Sequence, residues 1–146
     1  MSTEFPEQIY RHTTASVVRS WRERRGRYLL EGTRCKTCGA LHFPRRTVCS
    51  YCNGRDLEPY KHPKTGTIKA ANICWTATGV HIGYGENIPR ISTIIQLDDG
   101  VNVLAEVTET PLEKIVVGAK VKMVLRKLHR ETNSTWMYGY KFIVTD

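Results

Sequence analysis

Acidic residues are in short supply in this chain: Asp and Glu total 14 against 22 Lys and Arg in 146 residues, a formal charge of +8. No segment approaches the roughly 20 consecutive apolar residues needed to cross a bilayer as a helix, which excludes a helical membrane protein. The opening residues Met1-Ser2-Thr3-Glu4-Phe5-Pro6-Glu7 lack both a basic region and an apolar run. No secretory signal is expected from them, and a cytoplasmic location is. Motifs of self-sufficient catalysts are missing too. There is no strand–GxxxxGK phosphate loop, no His-Glu-x-x-His, and no nucleophile elbow with a Ser-His-Asp set. His81, on a glycine-rich segment, and Cys74 have no identifiable catalytic companions. The expectation is a protein that is not an enzyme on its own. Disorder is excluded by 40% hydrophobic and 25% charged residues, values close to globular averages.

What the sequence does have is a spaced set of cysteines. Cys35-Lys36-Thr37-Cys38 and Cys49-Ser50-Tyr51-Cys52 form two C-x2-C pairs, and Cys74 stands apart. Two residues between paired cysteines let one tight turn aim both sulfurs at a single point, and four thiolates satisfy a tetrahedral Zn2+. Gly39 follows the first pair and Asn53-Gly54 the second. These residue types tolerate the left-handed backbone that lets amides point at the sulfurs. Cys35, Cys38, Cys49 and Cys52 are therefore the expected ligands of a structural Zn2+ in a zinc ribbon. Four thiolates leave no open position for water, so a catalytic metal is not expected. Two disulfides would require an oxidising compartment. Leu41 to Pro44 followed by Arg45 to Val48 reads as a short hairpin between the pairs. His42 is expected at the surface, and Cys74 as a small buried hydrophobe.

On either side of the ribbon the pattern changes. Residues from about Glu7 to Gly32 read as helical, with a break near Thr13 or Thr14. Val18, Trp21, Tyr28 and Leu29 share one face, opposite Arg19, Arg22, Glu23, Arg24 and Arg27. The cluster Arg22, Arg24, Arg25 and Arg27 reads first as a solvated face whose aliphatic stems cover Trp21, with a phosphate- or nucleic-acid-binding surface as the alternative. The apolar stripe is longer than a small ribbon can cover, which suggests contact with another chain. After Pro63 the chain alternates as strands: Thr67 to Thr78, Ile91 to Leu97, Val101 to Val107, Lys120 to Arg130, and Trp136 to Val144. Asp98-Asp99-Gly100 reads as a hairpin turn, Pro111 to Ile115 as a helical turn ended by Gly118, and Asn133-Ser134-Thr135 as a turn. Five strands with a helical turn between the third and fourth fit an OB-fold barrel, with an SH3-like barrel as the alternative. The expected fold is mainly β, divided into an N-terminal helical segment (residues 1–33), the ribbon (34–62) and the barrel (63–146).

The order of these motifs carries a resemblance. Trp21-Arg22, the two Cys pairs with Gly39, Phe43-Pro44, Gly66-Thr67, Pro89, Ile94 to Leu97, Asp99-Gly100 and Gly118-Ala119-Lys120-Val121 form one series. Together they resemble a zinc-ribbon/OB-fold family formerly known as a domain of unknown function, over about residues 15 to 143. The resemblance implies a rubredoxin-like ribbon followed by an OB-fold. It also implies a non-catalytic acyl-CoA-binding accessory or scaffold protein. The implied partner is a thiolase-like acetyl-CoA acetyltransferase or related acyl-CoA enzyme, and hydroxymethylglutaryl-CoA synthase in archaea. Arg90 follows Pro89 where aromatic or apolar residues are usual, a departure from the family pattern.

For a CoA ligand, Lys69, Arg90 and Lys141 are candidate phosphate contacts and Trp75 and Tyr84 candidate adenine platforms. The alternative is nucleic-acid binding, since ribbons, OB-folds and basic charge all occur in such proteins. The distribution of charge speaks against it. Residues 1–34 carry +3, residues 35–62 carry +3 and residues 63–146 only +2.

Overall fold

The computed structural model describes residues 17–75, 88–130 and 136–145. Helix α1 (Val17–Leu29) leads into β1 (Glu31–Cys35), β2 (Leu41–His42) and β3 (Leu57–Lys61). These three strands form an antiparallel sheet in the order β2-β1-β3. The barrel strands follow: β4 (Thr65–Cys74), β5 (Arg90–Leu97), β6 (Asn102–Glu106), β7 (Lys120–Arg130) and β8 (Trp136–Val144). A 3-10 turn at Leu112–Lys114 connects β6 and β7. The sheet order is β6-β5-β4-β7-β8. One parallel bridge, Val107 to Phe142, brings the two outer strands together. A central first strand, antiparallel neighbours and a parallel closure between the third and fifth barrel strands make an OB-fold. The SH3-like alternative is thereby set aside.

Alternation explains the barrel interior. Thr93, Ile95 and Leu97 of β5 face inward with Val103 and Ala105 of β6, and Val121 and Met123 of β7 join them. Phe142 of β8 is fully buried at the centre of this cluster. The one polar member, Thr93, donates its hydroxyl to the Ala105 carbonyl at 2.9 Å. Gly66 lies where β4 crosses closest to β5. A Cβ there would come 2.5 Å from the Gln96 carbonyl oxygen and 3.0 Å from Ile95 Cγ2. The turn at Asp98-Asp99-Gly100 forms as the sequence predicts, with Gly100 at φ +88 and its amide donating to the Leu97 carbonyl at 2.9 Å.

The expected hairpin fails. Residues 45–48 form no strand, so the hairpin between the Cys pairs does not exist. β2 has two residues and pairs with β1 instead. The outer strand of that sheet comes from beyond the second Cys pair, with Cys35 opposite Leu57 and Glu31 opposite Lys61. Helix α1 leaves its apolar stripe uncovered, as its length against a small ribbon suggests: Val18 is 54% and Trp21 63% exposed. It packs by its less apolar side, where Ser20, Gly26 and Arg27 are half-buried. Gly139 of β8 admits the Arg27 stem, which would lie 3.1 Å from a Cβ there. The helical reading before residue 17, the turn at residues 133–135 and the end of the first barrel strand at residues 76–78 lie outside the described residues.

Leu30 and His62 join the ribbon to the barrel. Leu30 adopts a left-handed backbone at φ +52 and is fully buried within the barrel's cluster. Its carbonyl accepts from the His62 amide at 3.1 Å. The His62 ring is buried, with Nδ1 2.6 Å from Asp99 Oδ2 in the β5–β6 turn and Nε2 3.4 Å from the His42 carbonyl. Replacing Gly66 with alanine should destabilise the metal-loaded protein by about 1–3 kcal/mol, because the added methyl forces strands apart. Thermal unfolding measures this, and an unchanged Tm would contradict the close β4–β5 approach.

Candidate metal centre and adjoining cleft

The two Cys pairs close as matching knuckles. The Gly39 amide donates to the Cys35 carbonyl at 2.9 Å, and the Asn53 amide to the Cys49 carbonyl at 3.1 Å. Gly39 (φ +74) and Asn53 (φ +57) take the left-handed conformation expected of them. Gly54 keeps the knuckles close, since a Cβ there would meet Cys52 Sγ at 3.2 Å and Thr37 Oγ1 at 3.3 Å. The four Sγ atoms all lie within 4.8 Å of one another. Cys35 to Cys52 is 3.5 Å and Cys38 to Cys49 is 3.6 Å. A tetrahedron with metal–sulfur bonds of about 2.3 Å has edges of about 3.8 Å, so the cluster is the right size for Zn2+.

The sulfurs compete for negative charge. The backbone N–H of Cys38, followed by that of Thr37, pulls the Cys35 thiol down to about 6 against the effect of burial. Cys52 is also drawn down by the Gly54 amide, but the neighbouring Cys35 and Cys38 sulfurs outweigh that and push it up to about 12. Four thiolates this close need a cation among them. Zn2+ supplies it, and the donor set fits.

His42 is a correction to the sequence reading. It is buried, not at the surface, and its Nε2 lies 3.3 Å from Cys49 Sγ, with Tyr51 stacked on its ring at 5.8 Å. It supports a sulfur without being one of the four donors. Cys74 is half-buried at the end of β4.

Beside the ribbon is a cleft of about 980 Å3, walled by α1, by Phe43 to Thr47 of the ribbon and by barrel strands β5 to β8. Arg90, one of the candidate ligand residues, lines it. Its Nε donates to Glu106 Oε1 at 2.6 Å, and Lys141 Nζ approaches Glu106 Oε2 at 2.9 Å. The fold thus brings Arg90 and Lys141 together through one carboxylate and buries Lys141. Lys69 is exposed on β4. Trp75 is 65% exposed, one residue beyond Cys74, the register partner of Arg90. Neither Lys69 nor Trp75 lines the cleft. Tyr84, His81 and the rest of the glycine-rich segment lie outside the described residues. Residues the sequence reading did not select are prominent here: Phe43 and Tyr140 meet edge-on at 5.8 Å, and Glu106 organises the cations. Burial raises the Tyr140 hydroxyl above its ordinary value despite the nearby Arg27. The ring is therefore a neutral wall at physiological pH.

Comparison with known proteins agrees with this architecture. A curated DUF35 domain-containing scaffold protein of Pyrococcus furiosus is 34% identical over 128 residues, covering 86% of this chain and 90% of that protein. The chain belongs to the DUF35 zinc-ribbon family. Its DUF35 relative in Methanocaldococcus jannaschii, also named a scaffold protein, is 31% identical over 131 residues, with 86% and 89% covered. Residues 22–58 match the family described as ChsH2, rubredoxin-like zinc ribbon domain. Among solved structures, the Ltp2-ChsH2(DUF35) aldolase superposes with a TM-score of 0.66 at 16% identity, covering 91% of this chain and 97% of that one. A DUF35 protein of unknown function from Sulfolobus solfataricus gives 0.50 at 14% identity, with 96% and 93% covered. At these identities the likeness is one of fold.

Cys49→Ser should abolish the single bound zinc equivalent and unfold the ribbon, since structural zinc contributes on the order of 10 kcal/mol in small zinc domains. Metal analysis with near-UV circular dichroism checks this, and a folded ribbon after chelation would refute the structural role. His42→Ala should keep one zinc but lower its affinity about 10–100-fold, as expected for a residue that supports a ligand. Complete loss of the metal would instead make His42 a ligand.

Proposed function

We propose that this chain is a non-catalytic accessory protein that binds acyl-CoA and acts as a scaffold for a thiolase-like enzyme. The partner class is an acetyl-CoA acetyltransferase or a related acyl-CoA enzyme, with hydroxymethylglutaryl-CoA synthase as a second candidate. The observation that carries the reading is the cleft, because its size is at the upper end of the roughly 300–1,000 Å3 typical of small-molecule sites. Its walls come from helix, ribbon and barrel together.

Among the described residues the three carboxylates lining the cleft are each held in an ion pair. That arrangement favours binding over general-base chemistry. The scaffold designation of the family's relatives and the aldolase assembly named for the ChsH2 neighbour support an enzyme partner. Among the described residues no helix is long and apolar enough to cross a membrane. Four reduced thiolates suit the cytoplasm.

Calorimetric titration of the zinc-loaded protein at about 150 mM salt should give binding to acetyl-CoA and none to a single-stranded oligonucleotide, whose phosphate-driven affinity falls steeply with salt. Native co-purification followed by mass spectrometry should return an acyl-CoA enzyme. Oligonucleotide binding without acetyl-CoA binding would replace this reading with a nucleic-acid one, and partners unrelated to acyl-CoA chemistry would remove the scaffold role.

A further inference from the structure

Among the described residues six guanidiniums and three carboxylates line the cleft, a formal charge of +3, and its cationic lining is all arginine. The carboxylates are already matched. Glu23 accepts from Arg19 at 2.9 Å and Arg27 at 3.4 Å, and Glu31 from Arg25 at 3.3 Å. Glu106 is held by Arg90 and Lys141. Three guanidiniums are left over. Among the described residues Arg22, Arg24 and Arg45 make no ion pair, and Arg24 lies over the Trp21 ring at 5.2 Å. Two of these project from α1 and the third from the ribbon, so separate elements converge on one space.

Unmatched positive charge facing a cavity is what a polyanionic ligand requires. Arginine rather than lysine points to phosphate, because its planar fork donates two parallel hydrogen bonds to phosphate oxygens. Beside the barrel's Arg90–Glu106 pair the same cleft has an apolar stretch, formed by Leu104 and Leu128 of the barrel and the Phe43–Tyr140 pair. The ligand that suits both walls has clustered phosphates at one end and a slender, weakly polar arm at the other. We propose that Arg22, Arg24 and Arg45 form a phosphate subsite that holds the 3′-phosphate and pyrophosphate end of a CoA thioester, an assignment that rests on the acyl-CoA reading above. The pantetheine arm then runs along the Phe43–Tyr140 wall. The sequence candidates Lys69 and Trp75 lie outside this subsite.

The test uses the full-length zinc-loaded protein and calorimetry with acetyl-CoA, adenosine 3′,5′-bisphosphate and pantetheine, which has no phosphate. Arg22→Ala with Arg45→Ala should weaken acetyl-CoA and the bisphosphate at least tenfold and leave any pantetheine affinity unchanged. Arg55→Ala, which removes an exposed ribbon arginine outside the cleft, should change none of the three. Arg22→Lys with Arg45→Lys retains the charge without the fork. It should give an intermediate loss, and it serves as the folded variant if the alanine pair is unstable. Unchanged acetyl-CoA affinity in both double variants would overturn the subsite and leave the acyl-CoA reading standing. Failure of the unmodified protein to bind acetyl-CoA or the bisphosphate would overturn both. Bisphosphate binding that depends on these arginines, without acetyl-CoA binding, would support the phosphate subsite and overturn the CoA assignment alone.

Discussion

Four sulfurs within 4.8 Å of one another are the constraint on which the rest of the ribbon depends. The segment between β1 and β3 has little else to hold it, since β2 is two residues long and most of residues 44–56 are exposed. Like charges at this spacing repel unless a cation sits among them, and the opposite shifts of Cys35 and Cys52 express that competition. A divalent ion turns the repulsion into a cross-link. Once the knuckles are fixed, the chain between them is fixed as well. Phe43, Pro44, Arg45 and Thr47 then become one wall of the cleft.

The ribbon is locked in turn to the barrel by a few buried contacts. Leu30 leaves the helix in a left-handed conformation and enters the barrel's apolar cluster. His62, buried between the His42 carbonyl and Asp99, ties the end of β3 to the β5–β6 turn. A buried polar group is tolerated only when its hydrogen bonds are made, so this pair restricts how the two sheets meet. Gly32 allows the approach, since a side chain there would collide with the His42 carbonyl. The cleft is a consequence of that junction. Helix α1 lies across β8, and the space beneath it is the candidate binding site.

The legible parts of the sequence were those governed by local rules. Cysteine spacing reports a tight turn with both sulfurs on one side. Period-two alternation reports which face of a strand is inside, and Asp98-Asp99-Gly100 and Gly118 report backbone turns. Arg90 opens β5 after Pro89 and lines the cleft. The missed features share a different cause. The hairpin expected at residues 41–48 fails because β1 pairs with β3, a strand beyond the second Cys pair. His42 reads as a surface residue until the fold brings it against Cys49. The apolar stripe of α1 reads as a face for another chain, and its Val18 and Trp21 are exposed; which side packs on β8 is set by Gly139, whose missing side chain admits the Arg27 stem.

The sequence by itself determined the metal ligands, the β-rich character, most strand boundaries and the excess of positive charge. Each follows from residue types acting over a few positions. Only the tertiary structure decided where that charge is left unmatched. Glu23 is matched within α1 by i,i+4 pairs, Glu31 takes Arg25 across the helix–β1 junction, and Glu106 takes Arg90 and Lys141 from other barrel strands. A net charge of +8 gives no direction to the field. The packing of helix, ribbon and barrel gathers Arg22 and Arg24 of α1 and Arg45 of the ribbon around one cavity, because side chains from separate elements can converge only once those elements are docked.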